Sequence, residues 1–171
     1  MEERLTADVQ RFFEHWKALP RTGKLPHVRD YLDRVQATLQ PNVLLLDVKG
    51  EADIRVRLIG TRLVDLTGHE LTKTNGLEIY APELRAEVGR SCVTMVKHPC
   101  GQLSKRTVKT SGGMLLAASS IALPLLVDGA LLGCLAAFTE MHDPVATDET
   151  MTVIQRISHR AWIDIGFGVP T

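Results

Sequence analysis

The cysteines and histidines are the residues of this chain best able to do chemistry, but their spacing favours neither a metal site nor a disulfide scaffold. The three cysteines, Cys92, Cys100 and Cys134, are an odd number without metal-ligand spacing. None of the six histidines forms an i, i+4 pair with a third ligand at a suitable distance along the chain. We therefore interpret the cysteines as buried thiols that pack like small apolar groups.

His98 is the histidine best placed to ligate a haem, because it stands at the end of a predicted long helix, just before Pro99. A histidine in that position is also favourable beside the carboxyl end of a helix dipole, with no ligand at all. We favour the second interpretation. A haem is not expected, and the cofactor, if one exists, is left unassigned.

Two further groups of polar residues lie on predicted strands. Ser119 and Ser120 stand inside an apolar strand without the glycines of a nucleophile elbow, which disfavours a hydrolase. Lys105 and Arg106 could contact an anion such as a cyclic dinucleotide or an organic acid, although charges on a strand more often form a solvated face. No catalytic motif emerges, so no catalysis is expected.

Composition indicates an ordinary globular protein. The chain has 171 residues, 44% hydrophobic and 23% charged, with 20 basic and 20 acidic residues that cancel. A net charge of zero disfavours nucleic-acid binding. The amino terminus does not resemble a secretion signal, and the longest apolar run, residues 114–126, is too interrupted to span a membrane. We expect a cytoplasmic protein.

Hydrophobic periodicity predicts helices at both ends of the chain. An amino-terminal helix carries an apolar stripe at three- and four-residue steps, and a second helical segment runs over residues 26–39 until Pro41 stops it. Near Asp148 a final helix is predicted, because apolar residues fall on one of its sides. These residues are Met151, Ile154, Ile157, Ala161, Trp162 and Ile165.

Between the terminal segments the pattern predicts two strands, a group of helices and three more strands. Residues 43–48 and 54–58 read as a hairpin, and short helices follow Thr61, the first of them closed by Gly68. A longer helix begins at Pro82 and ends before Pro99. The later strands cover residues 102–109, 114–126 and 131–139, the last two joined by a tight turn at Asp128-Gly129.

This order of elements is that of a PAS domain, and three motifs make the resemblance specific. They are Arg-Thr-Gly-Lys-Leu-Pro at residues 21–26, Leu-Leu-Leu-Asp-Val at residues 44–48 and Arg-Leu-Ile-Gly-Thr at residues 57–61, followed by Gly68. They resemble the stand-alone bacterial PAS-like proteins long catalogued as a domain of unknown function. The likeness covers residues 10–140. In that family a glycine usually follows soon after the position of Leu71-Thr72, where this chain has Lys73 and next Gly76. We therefore expect the loop over the pocket to differ in shape from that of the family, and no ligand is carried over.

The resemblance implies an α+β fold: a five-stranded antiparallel sheet with helices on one face, here with flanking helices at both termini. We divide the chain into an amino-terminal helical extension (residues 1–41), a PAS-like domain (42–140) and a carboxy-terminal helix (141–171). The resemblance also implies a space between the sheet and the helices, where PAS domains hold a ligand or signal through changes in packing. Candidate pocket residues are Cys92, Met95, Leu116, Ala118, Cys134 and Ala136.

The implied function is a stand-alone sensory module that binds a small molecule or a partner protein and signals through its flanking helices. Related domains commonly dimerise through such a helix, so we expect a homodimer, with no nucleic-acid partner. Candidate dimer or partner residues are Phe12, Phe13, Trp16 and Trp162. Flavin is not expected, because the neighbours of Cys92 do not match a photoactive site. The alternatives are a ligand-free adaptor and an unrecognised enzyme that uses Cys92 or His98.

Overall fold

An antiparallel sheet of six strands organises the chain, whose structure is a computed structural model that describes residues 5–21 and 23–171. Residues 1–4 and Thr22, which belongs to the motif at residues 21–26, lie outside the described part. The helices are α1 (Ala7–Ala18), α2 (Val28–Leu32), α3 (Thr61–Thr67) and α4 (Pro82–Lys97), with short 3₁₀ turns at Gln40–Asn42 and Gly76–Ile79. The strands are β1 (Val43–Gly50), β2 (Asp53–Ile59), β3 (Gly101–Thr110), β4 (Leu115–Leu125), β5 (Gly133–Met141) and β6 (Met151–Ile163).

The strands lie in the order β2-β1-β5-β4-β3-β6, and every neighbouring pair is antiparallel. The α+β class and the antiparallel sheet are confirmed, but the sheet has six strands and not the expected five. The sixth strand, β6, pairs with β3 at one edge of the sheet. The first two strands form the predicted hairpin at the other edge.

The prediction of a carboxy-terminal helix is wrong, since β6 occupies that segment. Its pairing with β3 skips one residue at each of three places, Ser158, Gln155 and Thr152. Each is a β-bulge, which adds one residue to a strand and resets which side chains face inward. Met151, Ile154 and Ile157 therefore share the inner face at three-residue steps, and this spacing imitates the period of a helix.

The predicted amino-terminal helix is present as α1, and it covers one face of the central strands. Thr6 caps it by accepting a hydrogen bond from the amide of Val9. Phe12 stacks on Phe138 of β5 with ring centroids 5.4 Å apart, and Trp16 donates its indole N–H to the carbonyl of Pro124 at 3.1 Å. The predicted second helix is shorter than expected. It ends at Leu32, and a turn precedes the 3₁₀ segment.

The opposite face of the sheet is covered by α3, the 3₁₀ turn Gly76–Ile79 and α4. The α3 helix ends as predicted at Gly68, whose φ of 73° lies in the left-handed region that glycine adopts without a steric penalty. The sheet thus has two buried faces, with α1 on one and α3 and α4 on the other. The second face positions the candidate site.

Lys73, in the loop between α3 and α4, adopts the left-handed conformation with φ of 70° and is the one described residue other than glycine to do so. This conformation costs a side chain with a Cβ about 1–2 kcal/mol. We expect Lys73→Gly to raise the free energy of unfolding by about 0.5–1 kcal/mol in urea titrations followed by circular dichroism. Lys73→Ala, which keeps the Cβ, is the control and should give no such gain. Equal stability for both variants would mean that the loop relaxes.

Gly89 allows α4 to lie directly on the turn between β1 and β2. A Cβ built at this position would fall 1.8 Å from the carbonyl oxygen of Glu51. In an exposed helix interior Gly→Ala stabilises by about 1 kcal/mol, but here α4 would have to move. We expect Gly89→Ala to lower the free energy of unfolding by about 1–3 kcal/mol. Gly50→Ala, where an added Cβ meets no atom within 4 Å, serves as the control. A stabilised Gly89→Ala protein would contradict this packing.

Candidate ligand site

A cavity of about 90 Å³ lies between the sheet and the helices on the α4 side. All six strands contribute to its wall, together with α3, the 3₁₀ turn Gly76–Ile79 and α4. Most of the wall is aliphatic, for example Leu44 of β1, Leu63 of α3 and Val88 of α4. Such a concave apolar space with a few polar groups is the usual form of a small-molecule site.

A row of polar side chains crosses the floor of this cavity. In the strand pairing Ser104 of β3 lies opposite both Arg160 of β6 and Ser120 of β4, and Ser120 lies opposite Thr139 of β5. Residues that are directly paired share a face of the sheet, and all four line the cavity. Ser104 and Ser120 are only 3% and 1% exposed. We call Arg160, Ser104, Ser120 and Thr139 the polar row.

Hydrogen bonds link the polar row within itself and to Arg106. Arg106 donates from Nε to the hydroxyl of Ser104 at 3.1 Å, and Thr139 donates to the hydroxyl of Ser120 at 3.3 Å. The Arg106 guanidinium also lies over the ring of Tyr80, 5.4 Å from its centroid. The hydroxyls and one guanidinium are thus held in place in a mostly apolar space.

Arg160 stands between the cavity and a second space. A groove of about 430 Å³ runs between α4 and β6 and is lined by Arg90, Thr94, Trp162 and others. Ser91, Gln102 and Arg160 line both the groove and the cavity. Arg160 forms an ion pair with Glu87 of α4, with side chains 19% and 58% exposed respectively. The ion pair therefore bridges α4 and β6 where the two spaces adjoin.

Three of the predicted pocket residues, Cys92, Met95 and Ala118, line the cavity. Leu116 is buried, yet it lies outside the cavity wall. The prediction is wrong for Cys134 and Ala136, because both pack in the core beneath α1, on the opposite face of the sheet. Their strand neighbours Leu135, Ala137 and Thr139 line the cavity instead. The prediction chose the wrong parity on β5, where a shift of one residue exchanges the two faces.

The polar row was not predicted from the sequence, although the alternation of residues in β3 was one signal for it. Every second residue of β3 lines the cavity, namely Gln102, Ser104, Arg106 and Val108. These residues are less exposed than residues on a solvated strand face would be. Only pairing with β4 and β6 puts these side chains on a covered face. Arg106, weighed as an anion contact, lines the cavity, whereas its neighbour Lys105 is exposed.

The residues predicted to form a dimer surface have different environments. Phe12 and Trp16 are each only 1% exposed, because α1 packs them against the sheet of its own chain. Phe13 is half-buried, with the Lys17 ammonium 4.7 Å from its ring centroid. Trp162 is half-buried on β6 and lines the groove. The apolar stripe of α1 is thus largely occupied within one chain.

The residues considered for catalysis show no assembled nucleophilic site. Burial raises the pKa of the Cys92 thiol to about 11, and Arg106 and Arg160 offset this only in part. His98 ends α4 outside the cavity, with a buried Nε2 that has no hydrogen-bond partner. Ser119 lies 2.8 Å from Nε2 of the exposed His142. Among the hydrogen bonds of the described residues, none links that imidazole to a carboxylate, which a catalytic triad requires.

Comparison with known proteins agrees with this architecture. A family model described as a PAS domain matches residues 5–136. The chain therefore belongs to the PAS domain family, whose members are generally non-catalytic modules of the sensory and signalling type. The match ends within β5, so β6 lies beyond it. A comparison with curated proteins finds no match.

Residues 5–21 and 23–171, which the structure describes, show neither a metal-binding cluster nor a helix able to cross a bilayer. No group of three or more histidine, cysteine, aspartate or glutamate side chains there is arranged to hold a metal ion. None of the helices in the same residues combines the length and hydropathy that a bilayer crossing demands.

The buried thiols should be inert in the folded protein. With a pKa of about 11 the Cys92 thiol is roughly one part in a thousand thiolate at pH 8, and thiolate is the reactive form. Burial raises the pKa of Cys134 to about 12. We expect all three cysteines to resist an aromatic disulfide reagent at pH 8 and to react stoichiometrically in urea. Rapid labelling of Cys92 in the native state, located by peptide mass spectrometry, would instead favour an enzyme that uses it.

Proposed function

We propose that this protein is a sensory module that binds a small molecule in the cavity between the sheet and α4, and that occupancy of the cavity alters its contact with a partner. The cavity and its fixed polar row carry the proposal. Buried hydroxyls and guanidinium groups cost free energy unless they are hydrogen-bonded, and a ligand would supply acceptors for them. No catalysis is proposed.

The size of the cavity supports a ligand of few atoms. An engineered apolar cavity of about 150 Å³ in another protein admits benzene, so the 90 Å³ here suits a molecule of about four to six non-hydrogen atoms. Larger molecules would require α4 to move away from β6. The groove beside Arg160 offers the route by which a small molecule could enter.

The sheet offers a path from the cavity to α1. On β5, Leu135 and Ala137 line the cavity while Cys134, Ala136 and Phe138 pack beneath α1. A shift of this strand on ligand binding would displace the helix on its other face, since packed interiors transmit small displacements. We infer that α1 is the flanking helix that reports the bound state.

The cytoplasm is the proposed location of the protein.

The homodimer and the ligand-free adaptor remain proposals. With Phe12 and Trp16 occupied in the core, a partner surface is better sought elsewhere. Met114 and Leu115, at the turn between β3 and β4, are each 58% exposed. Adjacent exposed apolar side chains of this size favour a protein contact, and they are the observation that supports the adaptor.

Native mass spectrometry of the freshly purified protein tests the proposed function. We expect a small-molecule mass that is lost on denaturation, and its loss in Ala118→Leu, because the added carbon atoms fill the cavity. Ala117→Leu adds the same atoms to an exposed position of the same strand and should keep the ligand. A dimer without extra mass in all three proteins, and with no thermal stabilisation by any small molecule tested, would favour the adaptor and refute the sensor.

A further inference from the structure

We propose that the cavity binds a short-chain monocarboxylate, with its carboxylate on Arg106 and the polar row and its alkyl chain against the aliphatic wall. The inference rests on the proposed ligand-binding function and names the chemical class of the ligand. Four observations support it. They are the positive charges that line the cavity, the hydrogen bonds of the two serines, the aliphatic wall and small volume of the cavity, and the Arg160–Glu87 ion pair at the groove.

The charged side chains of the described residues that line the cavity are two arginines and no acids. Arg106 and Arg160 lie on β3 and β6, and their strand partners, Ile157 and Ser104, place both on the cavity face. In a space of low dielectric, two guanidinium groups strongly favour an anion over a neutral or cationic ligand. Guanidinium also matches the planar carboxylate with two parallel hydrogen bonds.

Each serine of the polar row accepts a hydrogen bond and has a hydroxyl proton left to donate. Ser104 already accepts a hydrogen bond from Arg106, and Ser120 already accepts one from Thr139. A serine hydroxyl has one proton and two lone pairs, so each serine keeps its proton for a ligand oxygen. A carboxylate, which only accepts hydrogen bonds, fits two hydroxyl donors and a guanidinium better than an amide or an alcohol does.

The remainder of the wall selects a tail and limits its length. Side chains such as Val88, Met95 and Leu135 face the cavity opposite and beside the polar row. An inorganic anion such as phosphate would leave this aliphatic surface unfilled, whereas an alkyl chain buries it at about 25 cal/mol per Å². Within about 90 Å³ the tail has room for about two or three carbons, as in propionate or butyrate.

Glu87 is the carboxylate that pairs with Arg160 in this structure. The Glu87 carboxylate is the more exposed partner of this ion pair and lies on the groove side. A ligand carboxylate arriving through the groove would compete with Glu87 for the same guanidinium. The ion pair therefore acts against binding, and its removal should tighten the complex. If the ion pair only held α4 against β6, its removal should weaken the complex instead.

Calorimetric titration of the full chain with propionate and butyrate, in buffer free of carboxylic acids, tests the proposal. We expect saturable binding of both acids, weaker binding of octanoate, and a loss of at least 10-fold in affinity for the neutral analogues butyramide and 1-butanol. Arg106→Gln and Arg160→Gln should each raise Kd for butyrate by about 10- to 100-fold, as expected for a hydrogen-bonded charge. Arg156→Gln, on the exposed side of β6, is the matched control and should leave Kd unchanged.

Glu87→Gln separates ligand recognition from damage to the fold, because it should lower Kd for butyrate several-fold while the arginine variants raise it. Equal affinity for butyrate and butyramide, or a Glu87→Gln protein that binds butyrate less tightly, would overturn the proposal. If neutral analogues bind and Ala118→Leu abolishes their binding, the proposed ligand-binding function is supported, but the proposal that the ligand is a carboxylate is wrong. If no carboxylate binds at tens of millimolar, the carboxylate is again refuted, and the retained mass in native mass spectrometry decides separately whether the sensor survives.

Discussion

The burial of the central strands on both faces is the constraint on which this structure depends. β4 and β5 lie in the middle of the sheet, with α1 packed on one side and α4 on the other. Each strand must therefore present apolar side chains in both directions, which explains the long apolar run at residues 114–126. On one face this surface is closed by large aromatic side chains. On the other, small residues such as Ala118 and Ala137 leave a cavity.

The strand β6 changes what the cavity face can do, because it adds a wall and an arginine. Without it β3 would form the edge of the sheet, and Ser104 and Arg106 would be open to solvent on that side. Its three bulges also disrupt the regular hydrogen-bonding edge that an exposed strand offers to other chains. The same irregularity that protects the edge keeps Ile154, Ile157 and Arg160 on the inner face, so edge protection and cavity formation have one cause.

Local sequence signals predicted most of the fold, and they failed where long-range pairing decides the structure. The Gly68 helix end is set by residues close in the chain and was predictable. The tight turn predicted at Asp128-Gly129 is wrong, because residues 126–132 join β4 to β5 and only Gly129 of that pair has a positive φ. The carboxy-terminal helix was mispredicted, since bulges produce a helix-like period in a strand. Cys134 and Ala136 were placed on the wrong face because nothing within β5 fixes its parity. That parity is set by its register with β1 and β4.

The polar row shows why a sheet can carry a site that its sequence conceals. Arg160, Ser104, Ser120 and Thr139 come from four strands and are separated by up to 56 positions in the chain, yet direct pairing aligns them in one line. A polar side chain on a covered strand face lowers stability unless it is hydrogen-bonded. Arg106 and Thr139 satisfy the two serines only in part, with one accepted bond each. The serine protons left to donate lie at the wall of a mostly apolar cavity, where an acceptor group gains more from each hydrogen bond than it does in water.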